Sequence, residues 1–359
     1  MERKWSMRPY KDGDEEGILE LWKAVYPNRG YDREKWLRWW CWMYKANPAG
    51  EGRIWLAEHD GKIVGQYAVI PVKLKIGNEI ILGLQSLDTM THPDYRRQKM
   101  FETLTKKVYD EAEREGIFIV YGFPNQFSYP GFVKKLNWFD IATMQIMFKS
   151  LNWGSAVKLK VKNKFLQGVL AIGANLVFNK VLFRTQKPPE IEGLTIKQVT
   201  SFDERFDEFW AKVCSQSQIM VVRNKDYLNW RYSNPDANYS IFVAEKAREI
   251  YGYLVLEHKV QSSVKVSHIF DLIAQSEEIM HHLLSEAVEN CQQNKVDLIL
   301  YPLVANKTYH RVLKKNGFIS LSFIKGGRFC AYSSSPTIPK EFLSNPENWL
   351  VQLGDSDAV

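Results

Sequence analysis

Residues Gln85 to Leu104 read QSLDTMTHPDYRRQKMFETL. Their order predicts a strand that stops at Pro93, a short basic turn with Arg96, Arg97 and Lys99, and an amphipathic helix directly behind it. The first turn of a helix exposes backbone N–H groups without intrahelical partners and carries the positive end of the macrodipole. Cations at that point therefore suit a phosphate group. An ordinary strand-to-helix connection with a solvated basic turn fits the same residues, and the stretch alone leaves both readings open.

The run HPDYRRQKMFETL resembles the signature loop of the GNAT superfamily of acyl-CoA N-acyltransferases, roughly V-x-P-x-Y-R-x-x-G-x-G/A followed by a helix. His92, Pro93, Tyr95 and Arg96 match, while Lys99 and Phe101 stand where the pattern has Gly and Gly or Ala. The resemblance implies acetyl-CoA as co-substrate, with no metal. Its pyrophosphate would lie on the loop Arg96, Arg97, Gln98, Lys99, Met100 and Phe101. Its pantetheine and thioester carbonyl would lie along the strand end at Met90 and Thr91. Glycine approaches a ligand closely and takes positive φ at little cost. A lysine at position 99 either occludes the phosphate or lends it charge.

Working outward, Lys11 to Pro27 has an acidic helix start followed by Ile18, Leu19, Leu21, Trp22 and Val25 at helical spacing. Trp36, Trp39, Trp40, Trp42 and Tyr44 then crowd one short helix, as core or as the wall of an acceptor pocket. RIWLAE and IVGQYAVIPVKLKI predict a hairpin leading through Gly77-Asn78 into the strand at Gln85. IFIVY (117–121) predicts a strand buried on both faces. The following GFPNQFSYPGFVKKLNW resembles the end of the GNAT core, with Asn125 on the cofactor side. A Tyr that protonates the departing CoA thiolate is common in the family. The matching position here is Val133, and Tyr129, one turn earlier, is either the candidate for that role or a buried tyrosine with a structural hydrogen bond.

The second half repeats the first. Trp42, Tyr44, Asn47 and Pro48 before IWLAE correspond to Trp230, Tyr232, Asn234 and Pro235 before IFVAE, and Asp88 corresponds to Asp271. The second helix start carries Ser276, Glu277 and Glu278, carboxylates that satisfy the amides and repel a pyrophosphate. The expected fold is α/β (α+β): two tandem GNAT-like domains, each a mixed, mostly antiparallel sheet flanked by helices. Residues 1–150 form the cofactor-binding copy, 151–194 a linker with an apolar helix, 195–335 a degenerate copy and 336–359 a C-terminal tail. Tandem architecture of this kind resembles mycothiol synthases, N-myristoyltransferases and acetyltransferases of the enhanced-intracellular-survival type.

The 359 residues suffice for two domains, and 45 % hydrophobic with 25 % charged content is that of a globular protein. A net charge of +7 suits an anionic cofactor, but the 41 acidic residues are interspersed and no basic block points to nucleic acid. Cys41, Cys214, Cys291 and Cys330 lie far apart and the N-terminus lacks the apolar core of a signal peptide, so a cytoplasmic location is expected. Polar interruptions in the apolar run at 165–184 favour an interdomain helix over membrane insertion. The lysines between 158 and 164 leave an interfacial anchor as the alternative. No His/Cys/carboxylate spacing points to a metal.

Acyl transfer needs a base for the amine, a polarised carbonyl and an acid for the thiolate. Asp88 is the titratable group on the strand that ends in the loop, as base or as a structural hydrogen-bond acceptor. It shares a face with Gln85 only if the strand bulges. Trp39, Trp42, Tyr67 and Gln85 are the acceptor-side candidates. Asp355, Asp357 and the terminal carboxylate compete for the base role on a tail that either frays or docks through Trp349, Leu350, Val351 and Leu353. The expected function is direct acetyl transfer from acetyl-CoA to a primary amine of a small molecule. A GNAT-derived binding or scaffold protein without transferase activity is the alternative.

Overall fold

The computed structural model describes residues 5–152, 188–261, 263–304, 306–320 and 326–357. The apolar helix expected within 151–194 falls almost wholly outside the described residues. The first half runs β1 (Ser6–Pro9), α1 (Glu15–Val25), α2 (Arg33–Tyr44), β2 (Arg53–His59), β3 (Lys62–Ile76), β4 (Glu79–Thr91), α3 (Met100–Arg114), β5 (Ile119–Gly122), α4 (Tyr129–Lys135), β6 (Phe139–Thr143) and β7 (Gln145–Ser150). The second half runs β8 (Thr195–Val199), α5 (Arg205–Val213), β9 (Ile219–Val221), α6 (Lys225–Arg231), β10 (Tyr239–Lys246), β11 (Glu249–Gln261), β12 (Val264–Ala274), α7 (Glu277–Gln293), β13 (Leu298–Leu303), α8 (Lys307–Lys315), β14 (Ile319–Ser320), β15 (Arg328–Ser333) and α9 (Lys340–Ser344).

Two mixed sheets result. The first has the order β1-β2-β3-β4-β5-β15-β6 with β9 also on β3, and the second β14-β7-β13-β12-β11-β10-β8. Each is antiparallel except for one parallel pair, β4 with β5 and β12 with β13. Sheet membership crosses the halves: β7 pairs with β13 of the second sheet, and β15 with β5 of the first. Each sheet is thus completed by a strand from the other half. An edge left unpaired by that strand would expose a row of backbone donors and acceptors.

In α3, Leu104, Val108 and Ala112 recur at helical spacing and are buried, so one face packs on the first sheet while the charged face meets solvent. A shared core lies between the halves, where Trp42 from α2 meets Trp230 from α6, along with Ile219, Val304 and Trp349. Among the described residues no helix is long and apolar enough to cross a membrane. No His/Cys/carboxylate group there could hold a metal.

Candidate active site

β4 and β5 stay paired from Leu84 with Val120 to Ser86 with Gly122, and then separate because β5 ends while β4 continues to Thr91. At the point of separation β4 bulges. Gln66 of β3 faces Met90 and Ala68 faces Leu87, so Asp88 and Thr89 together oppose Tyr67. Asp88 takes the left-handed backbone, φ +46°. Such strain costs about 1–3 kcal/mol, less for the short polar side chain of Asp, and gathers at working sites. The Gln66 side-chain amide holds the bulge by donating to the Asp88 carbonyl at 3.0 Å.

The separation opens a cavity of about 110 Å³ bordered by Ser86, Thr89, Phe123, Asn125, Phe132 and Trp138. A larger one, about 370 Å³, lies between the halves, with Trp22, Trp36 and Trp39 from the first and Asn234, Glu257 and Lys259 from the second. Asp88 and Asp357 line both cavities. The tail expected to fray or dock therefore docks, and carries Asp357, the last described residue, into the site.

The Tyr44 hydroxyl donates to the Asp88 carboxylate at 2.8 Å. Burial raises the Asp88 pKa, and the Tyr44 hydrogen bond opposes the rise in part. Burial, reinforced by the nearby Asp88 charge, pushes Asp357 up to about 7. Two carboxyls at one seam disfavour double ionisation, so together they can hold a proton near neutral pH. Among the described residues no lysine or arginine forms a salt bridge with Asp88 or Asp357. Asp271, the repeat counterpart of Asp88, has the opposite surroundings. It pairs with Arg223 at 2.9 Å and accepts from Tyr232 at 3.0 Å and Tyr253 at 2.8 Å. One copy neutralises its aspartate and the other leaves it available.

At the loop, Lys99 sits at the N-cap of α3 with φ +59° and without a side-chain cap, the conformation for which the resembling pattern uses glycine. Arg97 is also left-handed, φ +63°. Arg96, Arg97 and Lys99 are exposed and form no salt bridge among the described residues, beside the uncapped helix start. In the second copy Ser276 caps α7 by accepting from the Ile279 amide at 3.3 Å, and Glu277 is paired with Arg311. The two helix starts thus differ in charge and in free donors, as their sequences imply.

The remaining expected residues divide. Trp39 lines the larger cavity and Asn125 the smaller. Asn125 also caps its turn, accepting from the Phe127 and Ser128 amides. Met90 and Met100 are buried, Thr91 pairs with Gly65, and the Phe101 ring packs edge-on against Phe132 at 5.0 Å. Trp42, Tyr67 and Gln85 lie in the core and on neither cavity wall. Trp42 is committed to Trp230, the Tyr67 hydroxyl to Tyr109, and the Gln85 side-chain oxygen accepts from Tyr121. Tyr129 also lies off both walls, because its hydroxyl donates to Asp140 at 2.5 Å and Arg328 covers its ring. Sequence reasoning passed over Tyr44 as the partner of Asp88. A usable signal was there: Tyr44/Tyr232 and Asp88/Asp271 recur as matched pairs in the two copies, and in both the tyrosine hydroxyl donates to the aspartate.

The fold has known counterparts. Residues 6–139 match the family model described as an acetyltransferase (GNAT) domain. A GCN5-related N-acetyltransferase from Anabaena variabilis superposes with a TM-score of 0.62 at 12 % identity, over 91 % of this chain and 72 % of that one. Saccharomyces cerevisiae N-myristoyltransferase, solved with bound myristoyl-CoA, gives 0.59 at 11 %, over 93 % and 80 %. No curated protein matches the chain by sequence. The structural likenesses show the fold, and the family model matches a stretch within the first half of the chain.

Proposed function

We propose that the protein is an acyl-CoA-dependent N-acyltransferase that moves acetyl from acetyl-CoA to a primary amine of a small molecule in a ternary complex. The observation that carries this reading is the placing of Asp88 on the seam between the two cavities. The acyl-CoA would enter where β4 and β5 part, with its pyrophosphate on the uncapped start of α3 and on Arg96, Arg97 and Lys99. A cavity of about 110 Å³ has room for several water-sized groups, which suits a short acyl group.

The larger cavity suits an amine. Five of its lining residues carry carboxyl groups, against three cations, and the indoles of Trp22, Trp36 and Trp39 line it too, a residue type that attracts cations. Asp88 would take a proton from the ammonium. The free amine attacks the thioester carbonyl carbon, the C–S bond breaks, the CoA thiolate leaves with a proton, and the new amide forms once nitrogen loses its second proton. Overall, thioester and ammonium give amide, thiol and one proton. No cysteine lies on the seam, which favours direct transfer over an acyl-enzyme.

Calorimetric titration with acetyl-CoA, followed by a screen of small amines, tests the reading. Micromolar binding weakened by Arg96→Glu, with amine acetylation reduced about 100-fold or more in Asp88→Asn, is expected. Binding without transfer to any amine would favour the non-catalytic alternative.

A further inference from the structure

The opening between β12 and β13 corresponds to the one between β4 and β5, and it is filled. These strands pair from Val266 with Leu298 to His268 with Leu300 and then separate. The chain's own tail lies between them. Gln352 forms an antiparallel bridge with Leu303, and the Val304 amide donates to the Val351 carbonyl at 3.1 Å. On the other side the Gln352 side chain serves β12 as a strand would. It accepts from the Leu272 amide at 2.8 Å and donates to the Leu272 carbonyl at 3.1 Å. Gln352 is fully buried, and the Tyr301 hydroxyl also donates to it.

Two arginines extend this grip toward the first copy. Arg223, 2 % exposed, donates through Nε to Asp271 and through Nη2 to both Asp355 oxygens, at 2.9 and 2.8 Å. Arg231 donates to the carbonyls of Gly354 at 2.6 Å and Ser356 at 2.8 Å. The backbone on both sides of Asp355 is thereby held one residue short of Asp357.

We propose that Asp271, Arg223 and Asp355 form a positioning network, in which the second copy, its own opening filled by the tail, holds the Asp357 carboxylate against Asp88. Asp271 matches Asp88 in the repeat, but its partners make it an anchor. The second copy takes no acyl-CoA, because the Leu272 backbone groups and the Val304 amide that would face one are paired with the tail. This inference rests on the proposed transferase reading only for its kinetic consequence.

The test compares the full chain with Asp355→Asn, Asp357→Asn and Asp357→Glu. Hydrogen exchange over residues 343–357 reads whether the tail stays seated, and acetyl-CoA titration reports on the first copy. Asp355→Asn should speed exchange across the tail while acetyl-CoA affinity stays within about twofold. In the transfer assay it should lower kcat about tenfold or more with little change in KM for acetyl-CoA, as should Asp357→Asn, and Asp357→Glu should restore part of the loss. Unchanged tail exchange in a folded Asp355→Asn protein would overturn the network, as would unchanged kcat in Asp357→Asn. If no amine is acetylated by the wild type, the transferase reading fails alone, and tail exchange still decides the positioning.

Discussion

Trp42 and Trp230, matching residues of the two sequence halves, stack on each other with centroids 5.5 Å apart and planes 22° from parallel. Each indole N–H donates to the backbone carbonyl of the other residue, at 2.7 and 2.8 Å. The reciprocity is that of a pseudo-two-fold axis passing between the rings. Truncating either ring removes a large buried surface and takes one donor from the carbonyl opposite. Trp42→Ala should destabilise the protein by about 3–5 kcal/mol, and Trp42→Phe by less. A urea midpoint unmoved by Trp42→Ala would remove the stack from the account of how the halves adhere.

A fragment ending at residue 150 should not fold independently. It would lack β15 and leave the inner edge of β5 without the partner it has from Ser333 to Cys330, while β7 would have no sheet to join. Size-exclusion chromatography and circular dichroism should show an aggregated or poorly structured species. Adding residues 188–359 as a separate fragment should recover native-like spectra.

Lys99 separates backbone strain from charge. With φ at +59°, Lys99→Gly should raise stability by about 1 kcal/mol, read as a higher thermal midpoint. The same change removes a cation from the helix start. Acetyl-CoA affinity should fall modestly and its salt dependence should flatten. The opposite signs of the two effects are the diagnostic outcome.

The carboxyl seam predicts a pH response in two readouts. Asp357, raised to about 7 from an ordinary 3.8, keeps its proton in the folded protein over a range where the unfolded chain has released it. Its contribution to stability therefore falls as pH rises from about 4 to about 7. Asp357→Asn should flatten that slope in chemical-denaturation curves. Activity should rise with pH through an apparent pKa near neutrality that belongs to the Asp88–Asp357 pair. In Asp357→Asn that limb should move to lower pH, since the carboxyl that the Asp88 charge pushes up is gone and Asp88, raised by burial, titrates alone. Tyr44, Tyr26 and Arg231 also face the seam and modulate both readouts.

The local pattern was enough to read the strand–turn–helix at Gln85–Leu104, the repeat and the mixed two-sheet class. These follow from periodicity, turn chemistry and helix-start charge, which act over a few residues. The contrast between the Lys99 and Ser276 helix starts was legible for the same reason. Other features were decided only by tertiary structure. Trp42 and Tyr67 look like pocket walls in a list of aromatics, and become core because Trp230 of the other half closes over Trp42 and Tyr109 and Phe132 of the same half close over Tyr67. Asp88 and Asp271 look equivalent, and part company because Arg223 pairs with Asp271, while among the described residues no arginine or lysine forms a salt bridge with Asp88.

By itself the sequence determined which segments are strands and helices, which faces they bury, and that the pattern occurs twice. Only the tertiary structure decided that β7 and β15 trade sheets, that Gln352 fills the opening beside β12, and that Asp357 ends opposite Asp88. The physical reason is that a backbone hydrogen bond is indifferent to which half of the chain supplies its partner. Pairing across more than a hundred residues is chosen by whole-molecule packing, and no short-range periodicity encodes that choice.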